Sequence, residues 1–241
     1  MTFEHEFERE LNLFRTETES GTQFFYAYLT LHAVAADDKS VVRAMNRTPL
    51  FWNTSLGAMQ TATFIALGRV FDQQSPHNID RVLRIAQDHP DIFSKASLAV
   101  RKQGTAGTAP EWLADYVATV YEPTPDDFRR LRYHVKKRRN IYESNYRDIR
   151  RKVFAHKEIT EPTKVSALFQ KTNIRELQKL FAFLGAFHEA LWQMFFNGLK
   201  PLLQPLRYSV ARIRDLPSPA ARQRGVHERI VQYQSERECA G

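Results

Sequence analysis

Apolar residues recur at helical spacing along most of the chain, and no stretch sustains a two-residue alternation. Phe3, Phe7, Leu11 and Phe14 step by four, four and three, which predicts an opening helix. Phe24 to Ala36 reads as a strongly apolar second helix. Pro49 behind Thr48 has the signature of a first helical turn, opening a helix to about Phe71. Shorter helices follow from Asn78 or Asp80 through Asp88, from Asp91 to about Lys102, and from Glu111 to Tyr121. Gln103 to Pro110 is rich in glycine and threonine and reads as a loop. Pro123 to Asp127 stops one helix and starts another, which would run unbroken from Asp126 to about Lys157, roughly 45 Å. Thr160 to Pro162 ends it. A last long helix spans about Asn173 to Asn197, with Ile174, Leu177, Phe181, Leu184, His188, Leu191 and Phe195 as its stripe and Gly198 as its stop. The pattern predicts an all-α fold, an antiparallel bundle of long helices. It divides into a bundle over residues 1–200 and a basic extension over 201–241, helical or flexible.

At 241 residues the chain is long enough to bury a core without disulfides or metal. Its single cysteine, Cys239, excludes an internal disulfide and any zinc site of two or more cysteines, and suits a reducing, cytoplasmic setting. With nine glycines there is no glycine-rich phosphate loop. The acidic first residues do not resemble a targeting signal. The most apolar stretch, Phe181 to Leu199, carries His188, Glu189, Gln193 and Asn197, and reads as a buried helix with no membrane role. His188-Glu189 lacks the second histidine of a zinc protease signature. No metal and no cofactor is expected. Arg69 and Asp72 close an apolar helix and read first as a helix-end pair or a bundle cap, second as support for the helix that carries the Arg150–His156 motif.

Charge changes this picture. The net charge is +8, yet Arg129 to Lys157 alone holds twelve basic residues against Glu143 and Asp148, so the remainder is slightly acidic. A local basic stripe is the footprint of a polyanion, although the same run would also serve as a solvated helix face. Within it lies Ile149-Arg150-Arg151-Lys152-Val153-Phe154-Ala155-His156-Lys157, an arginine followed six positions later by a histidine. Spacing alone leaves His156 either a packed histidine on the stripe of Tyr142, Ile149 and Val153 or an acid–base group.

This segment resembles the HEPN superfamily, whose hallmark is an arginine, four to six residues, then a histidine on a late helix of an α-bundle. Arg150, Lys152, Ala155 and His156 fit the Arg-Asp-Lys-x-x-Ala-His form of the AbiU-like abortive-infection branch. Phe51-Trp52 and Leu67-Gly68-Arg69-Val70-Phe71-Asp72 are similar to that branch as well, in which an early helix ends in Leu-x-Arg-x-Phe-Asp. The likeness covers about residues 20 to 200. One position departs from it: Arg151 stands where a polar or acidic residue is usual, and Arg151 itself lies within the allowed spacing of His156.

The resemblance implies a metal-independent endoribonuclease of a toxin or phage-defence system. Arg150 would stabilise the transition state and His156 would act as acid–base. Arg147, Arg151, Lys152 and Lys157 would hold RNA phosphates, with Asn145 and Tyr146 as further RNA contacts. Histidine titrates near neutrality and arginine offers a planar fork to phosphate. On an α-helix, Arg150 and His156 point about 120° apart, too far to grip one phosphate together, so a composite site across a homodimer is expected. An antitoxin or a neighbouring-gene product is a further expected partner. The alternative is a non-catalytic helical module that binds RNA, nucleotide or an acidic protein.

Overall fold

The computed structural model describes residues 2–104 and 109–204, and every described element is helical. The expected extension over 201–241 lies outside the described residues from 205 onward, as does part of the expected 103–110 loop.

Helix α1 (Phe3–Asp37) is a single rod where two helices were expected. Its 35 residues span about 52 Å. The reason it does not break at Gly21 is packing. A Cβ there would meet Ala66 Cβ and Phe181 Cε1, both at 2.9 Å, so the glycine marks the closest approach of three helices and not a turn. The second is α3 (Pro49–Phe71), with Pro49 in its first turn. The third is α9 (Ile174–Asn197), capped by the Asn173 side chain and stopped by Gly198 at φ +57°.

Ring contacts along the seam between α1 and α9 fix its direction. Phe7 lies 4.9 Å from Phe195, Phe14 5.6 Å from Phe187 and Phe25 5.3 Å from Phe181. Rising numbers on α1 meet falling numbers on α9, so the two run antiparallel. All six of these rings are at most 4% exposed. Each contributes on the order of 2 kcal/mol by burial. Arg69 pairs with Glu17 at 3.0 Å, which with the Gly21–Ala66 contact makes α3 antiparallel to α1 as well.

Between α1 and α3 the chain forms α2 (Lys39–Arg47), which the apolar spacing did not predict because it buries no residue. Leu50 and Phe51, at the start of α3, are exposed too. Helix α4 (Ile79–Asp88) begins at the Asn78 cap and packs on α1. Glu10 of α1 is buried there beside His77 (2.8 Å) and Arg81 (3.2 Å). Burial pushes its carboxyl up. Hydrogen bonds with His77 and Arg9 and the charge of Arg81 outweigh this and hold it below the usual value. A 3-10 turn (Pro90–Phe93), α5 (Lys95–Gln103) and α6 (Leu113–Ala118) follow.

The long helix expected from Asp126 to Lys157 is interrupted. Helix α7 (Pro125–Asn145) stops at Tyr146, whose φ of −123° is not helical. Residues Ile149–Ala155 then wind as a π-helix, with wider turns closed by bonds five residues apart, such as His156 N–H to the Arg151 carbonyl at 3.0 Å. A further unpredicted helix, α8 (Pro162–Phe169), opens at the proline that was read only as a stop. Among the described residues no helix is long and apolar enough to cross a membrane.

Substituting Gly21→Ala is expected to cost about 1–3 kcal/mol by overpacking the three-helix seam, read by urea denaturation. His188 on α9 gives a pH test. Burial, with Arg15 nearby, lowers its pKa from 6.5 to about 4, against the weaker pull of Glu189. A depressed histidine favours the neutral ring in the fold, so its contribution is complete above pH 6.5 and is lost as pH falls toward 4. The urea midpoint is expected to fall between pH 7 and pH 5, and to fall less in His188→Gln.

Candidate functional site

The two segments that carry the family resemblance, far apart in sequence, meet at the end of α3. Asp72 caps that helix, its N–H bonded to the Gly68 carbonyl at 2.8 Å. The turn beyond it is pinned by Asn78, whose amide donates to the carbonyls of Asp72, Gln73 and Ser75 at 3.2, 3.1 and 2.8 Å. The Asp72 carboxylate is thereby held facing the π-helical segment. One oxygen pairs with Arg150 Nη1 at 3.1 Å, and the other accepts a hydrogen bond from the Tyr142 hydroxyl at 3.2 Å. Tyr142 is fully buried, and its ring stacks on Phe71 at 5.4 Å. Burial first, then the Asp72 charge, pushes the phenol far up, so it remains a neutral donor.

The Arg150 stem lies across Gly68. A Cβ on that residue would sit 2.5 Å from Arg150 Nε and 3.0 Å from its Cδ, so the bare backbone of α3 forms the bed of the arginine. Arg150 Nε is buried and has no hydrogen-bond partner. One face of the guanidinium is committed to Asp72, and its side chain keeps 26% exposure.

His156 ends the π segment and is exposed. The stripe through Tyr142, Ile149 and Val153 would have carried it inward on an α-helix. The wider π turns take up more residues per turn, and the histidine emerges in solvent instead. The α-helical bearing of 120° between Arg150 and His156 therefore does not apply. Lys157, next in the chain, has φ +50°, a left-handed conformation rarely adopted by a lysine. Aromatic contacts hold the segment from below: Phe154 lies 5.2 Å from Phe64 of α3 and 6.1 Å from Phe169 of α8.

One expected RNA contact, Tyr146, is corrected, and another, Asn145, is engaged within the fold. Tyr146 has no exposed surface, so it presents no face on which a base can stack. Its hydroxyl donates to Glu176 at 2.7 Å, and the Asn145 amide donates to the same carboxylate oxygen at 2.9 Å. Both residues anchor the break after α7 to the start of α9. The cations also differ in availability. Lys152 pairs with Asp148 at 2.9 Å, and Arg151 reaches Glu158 at 3.9 Å. Arg147 and Lys157 are exposed and form no ion pair among the described residues. The basic stripe is thus not one uniform track. Arg129, Arg130 and Arg139 are paired with Asp126, Asp127 and Asp80, and Arg138 lies over the Phe183 ring.

A family model for AbiU2, of the HEPN type, matches residues 4–213. The chain belongs to the AbiU2 family. No curated protein and no solved structure matches it. The match runs from α1 through α9, so the AbiU2 assignment takes in the whole described bundle, including Asp72 and the Arg150–His156 segment.

The residues that sequence reasoning undervalued in this AbiU2 chain are Gly68, Asp72 and Tyr142. Asp72 carried a signal, since it ends the Leu67–Asp72 pattern. Of its two readings the second holds, since Arg69 points to Glu17 while Asp72 supports the motif segment through Arg150.

A Gly68→Ala substitution is expected to destabilise the fold by about 1–3 kcal/mol, because Arg150 must leave its bed. Combined with Arg150→Ala, the same substitution should cost much less. That non-additivity, measured by urea denaturation of both single variants and the double variant, tests the packing directly.

Proposed function

We propose that the protein is a metal-independent endoribonuclease of abortive infection, acting on cytoplasmic RNA as a toxin or phage-defence effector. The observation that supports it most is the pairing of a pre-oriented arginine with an exposed histidine on one short segment. The substrate 2′-oxygen attacks the adjacent phosphorus, and the bond from phosphorus to the 5′-oxygen breaks. His156 takes the 2′-hydroxyl proton. His156 of a second copy gives a proton to the leaving 5′-oxygen, which is why the reading includes a homodimer. Arg150 offers its free edge to the phosphoryl oxygens as charge builds on them. Arg147 and Lys157 hold flanking phosphates, with Arg151 and Lys152 as partly engaged supports. The products are a 2′,3′-cyclic phosphate and a 5′-hydroxyl.

In this reading Asp72 supplies from another helix the orienting acid that the family usually places directly after the motif arginine. A second reading, a non-catalytic module that binds RNA, rests on Arg151 standing at that position.

Total RNA incubated with wild type in EDTA is expected to yield fragments with cyclic-phosphate ends. His156→Ala and Arg150→Ala should each lower the rate by about 100-fold or more. Folded wild-type protein that binds RNA and leaves it intact would establish the second reading. Light scattering that finds only monomer at micromolar concentration, with cleavage retained, would remove the composite site.

A further inference from the structure

Beside the Asp72–Arg150 centre, a polar groove of about 670 Å³ runs between α4 and α7. Its walls carry Arg84 of α4 and Arg132, Lys136 and Arg139 of α7. On α7 the positions 132, 136, 139 and 143 fall on one helical face, so these side chains line up along the groove. Four cations meet two carboxylates there. One of those, Asp80, is already spent on Arg139. Arg84 and Lys136 are exposed and form no ion pair among the described residues. Arg139 is 9% exposed, and its Nε is buried without a hydrogen-bond partner. Two carboxylates offset part of this charge, and the groove keeps an excess of cations.

The groove shares residues with the turn that holds Asp72, since Asn78 lines it and donates to the Asp72 carbonyl. Its lining includes Gln73, the neighbour of Asp72, and Glu143, the neighbour of Tyr142. Both neighbours belong to the cluster that holds Arg150. A solvated helix face explains exposed lysines. It does not explain cations from two helices converging on one cleft.

We infer that the α4–α7 groove binds the phosphodiester backbone of single-stranded RNA on one side of the Arg150 site, with Arg84 and Lys136 as its phosphate contacts. The inference rests on the RNA reading given above, and it adds a binding surface outside the arginine–histidine segment. Backbone contacts of this kind are independent of sequence and strongly dependent on salt.

The test uses the full chain carrying His156→Ala, so that RNA is not cut, and a fluorescein-labelled 12-nucleotide single-stranded RNA followed by anisotropy. Adding Arg84→Ala and Lys136→Ala is expected to weaken binding about tenfold near 0.1 M salt. It should also flatten the slope of log affinity against log salt by about 1.4, as for two phosphates lost from a single strand. Lys39→Ala with Arg43→Ala on α2 removes the same charge elsewhere and should change neither quantity. All four side chains are exposed, and thermal melts confirm the fold of each variant. An effect equal to the α2 control, or no effect, overturns the groove while leaving the ribonuclease reading intact. Loss of pyrophosphate binding with unchanged RNA binding assigns the groove to a small polyphosphate and also overturns it. A parent protein that binds no RNA at any salt overturns both readings.

Discussion

The close approach of α1, α3 and α9 at Gly21 sets the geometry of the bundle. At that point a backbone, an alanine methyl and a phenylalanine ring occupy space that no larger residue leaves open. The Glu17–Arg69 pair spans two of these helices, α1 and α3, close to where α3 ends at Asp72. That end carries Gly68 and Asp72, and through them it determines where Arg150 lies. Arg150 is thus placed by helix packing established some distance away, and only secondarily by its own segment.

Much of this was legible in the sequence. The helical class, α3, α4, α9 and their proline, asparagine and glycine boundary signals follow from residue spacing and from local backbone chemistry. The family hallmark named Arg150 and His156, and a second pattern led to Asp72. What was hidden depends on contacts between distant residues. A glycine within a helical pattern looks like a weak point, and only the neighbouring helices reveal Gly21 and Gly68 as points of contact. The break at Tyr146 is held by Glu176, thirty residues away, so no local signal announces it. The π winding of Ile149–Ala155 likewise answers to the seating of Phe154 on α3 and α8. Helix α2 was missed for the opposite reason: it buries nothing, so it has no apolar stripe to read.

The basic run shows why a charge count is a poor map of a binding surface. Arg129, Arg130 and Arg139 look equivalent to Arg147 and Lys157 in the sequence, yet their charges are already answered by aspartates. Local pairing divides one stripe into spent and unspent parts. The unspent part lies around the motif and along the α4–α7 groove.

Asp72 has one more consequence. As a resident counter-ion it competes with any anion that approaches Arg150. A guanidinium has five N–H donors in a fixed fork, so the carboxylate can retain one edge while a phosphate takes another. Part of the arginine's charge is nonetheless neutralised by Asp72 before any anion arrives. A free inorganic anion has only this muted attraction to draw it in, and it gains little by binding. On the function proposed above, a long polyanion would make up the difference with many contacts at once, and the built-in competitor would act as a filter for chain length over charge alone.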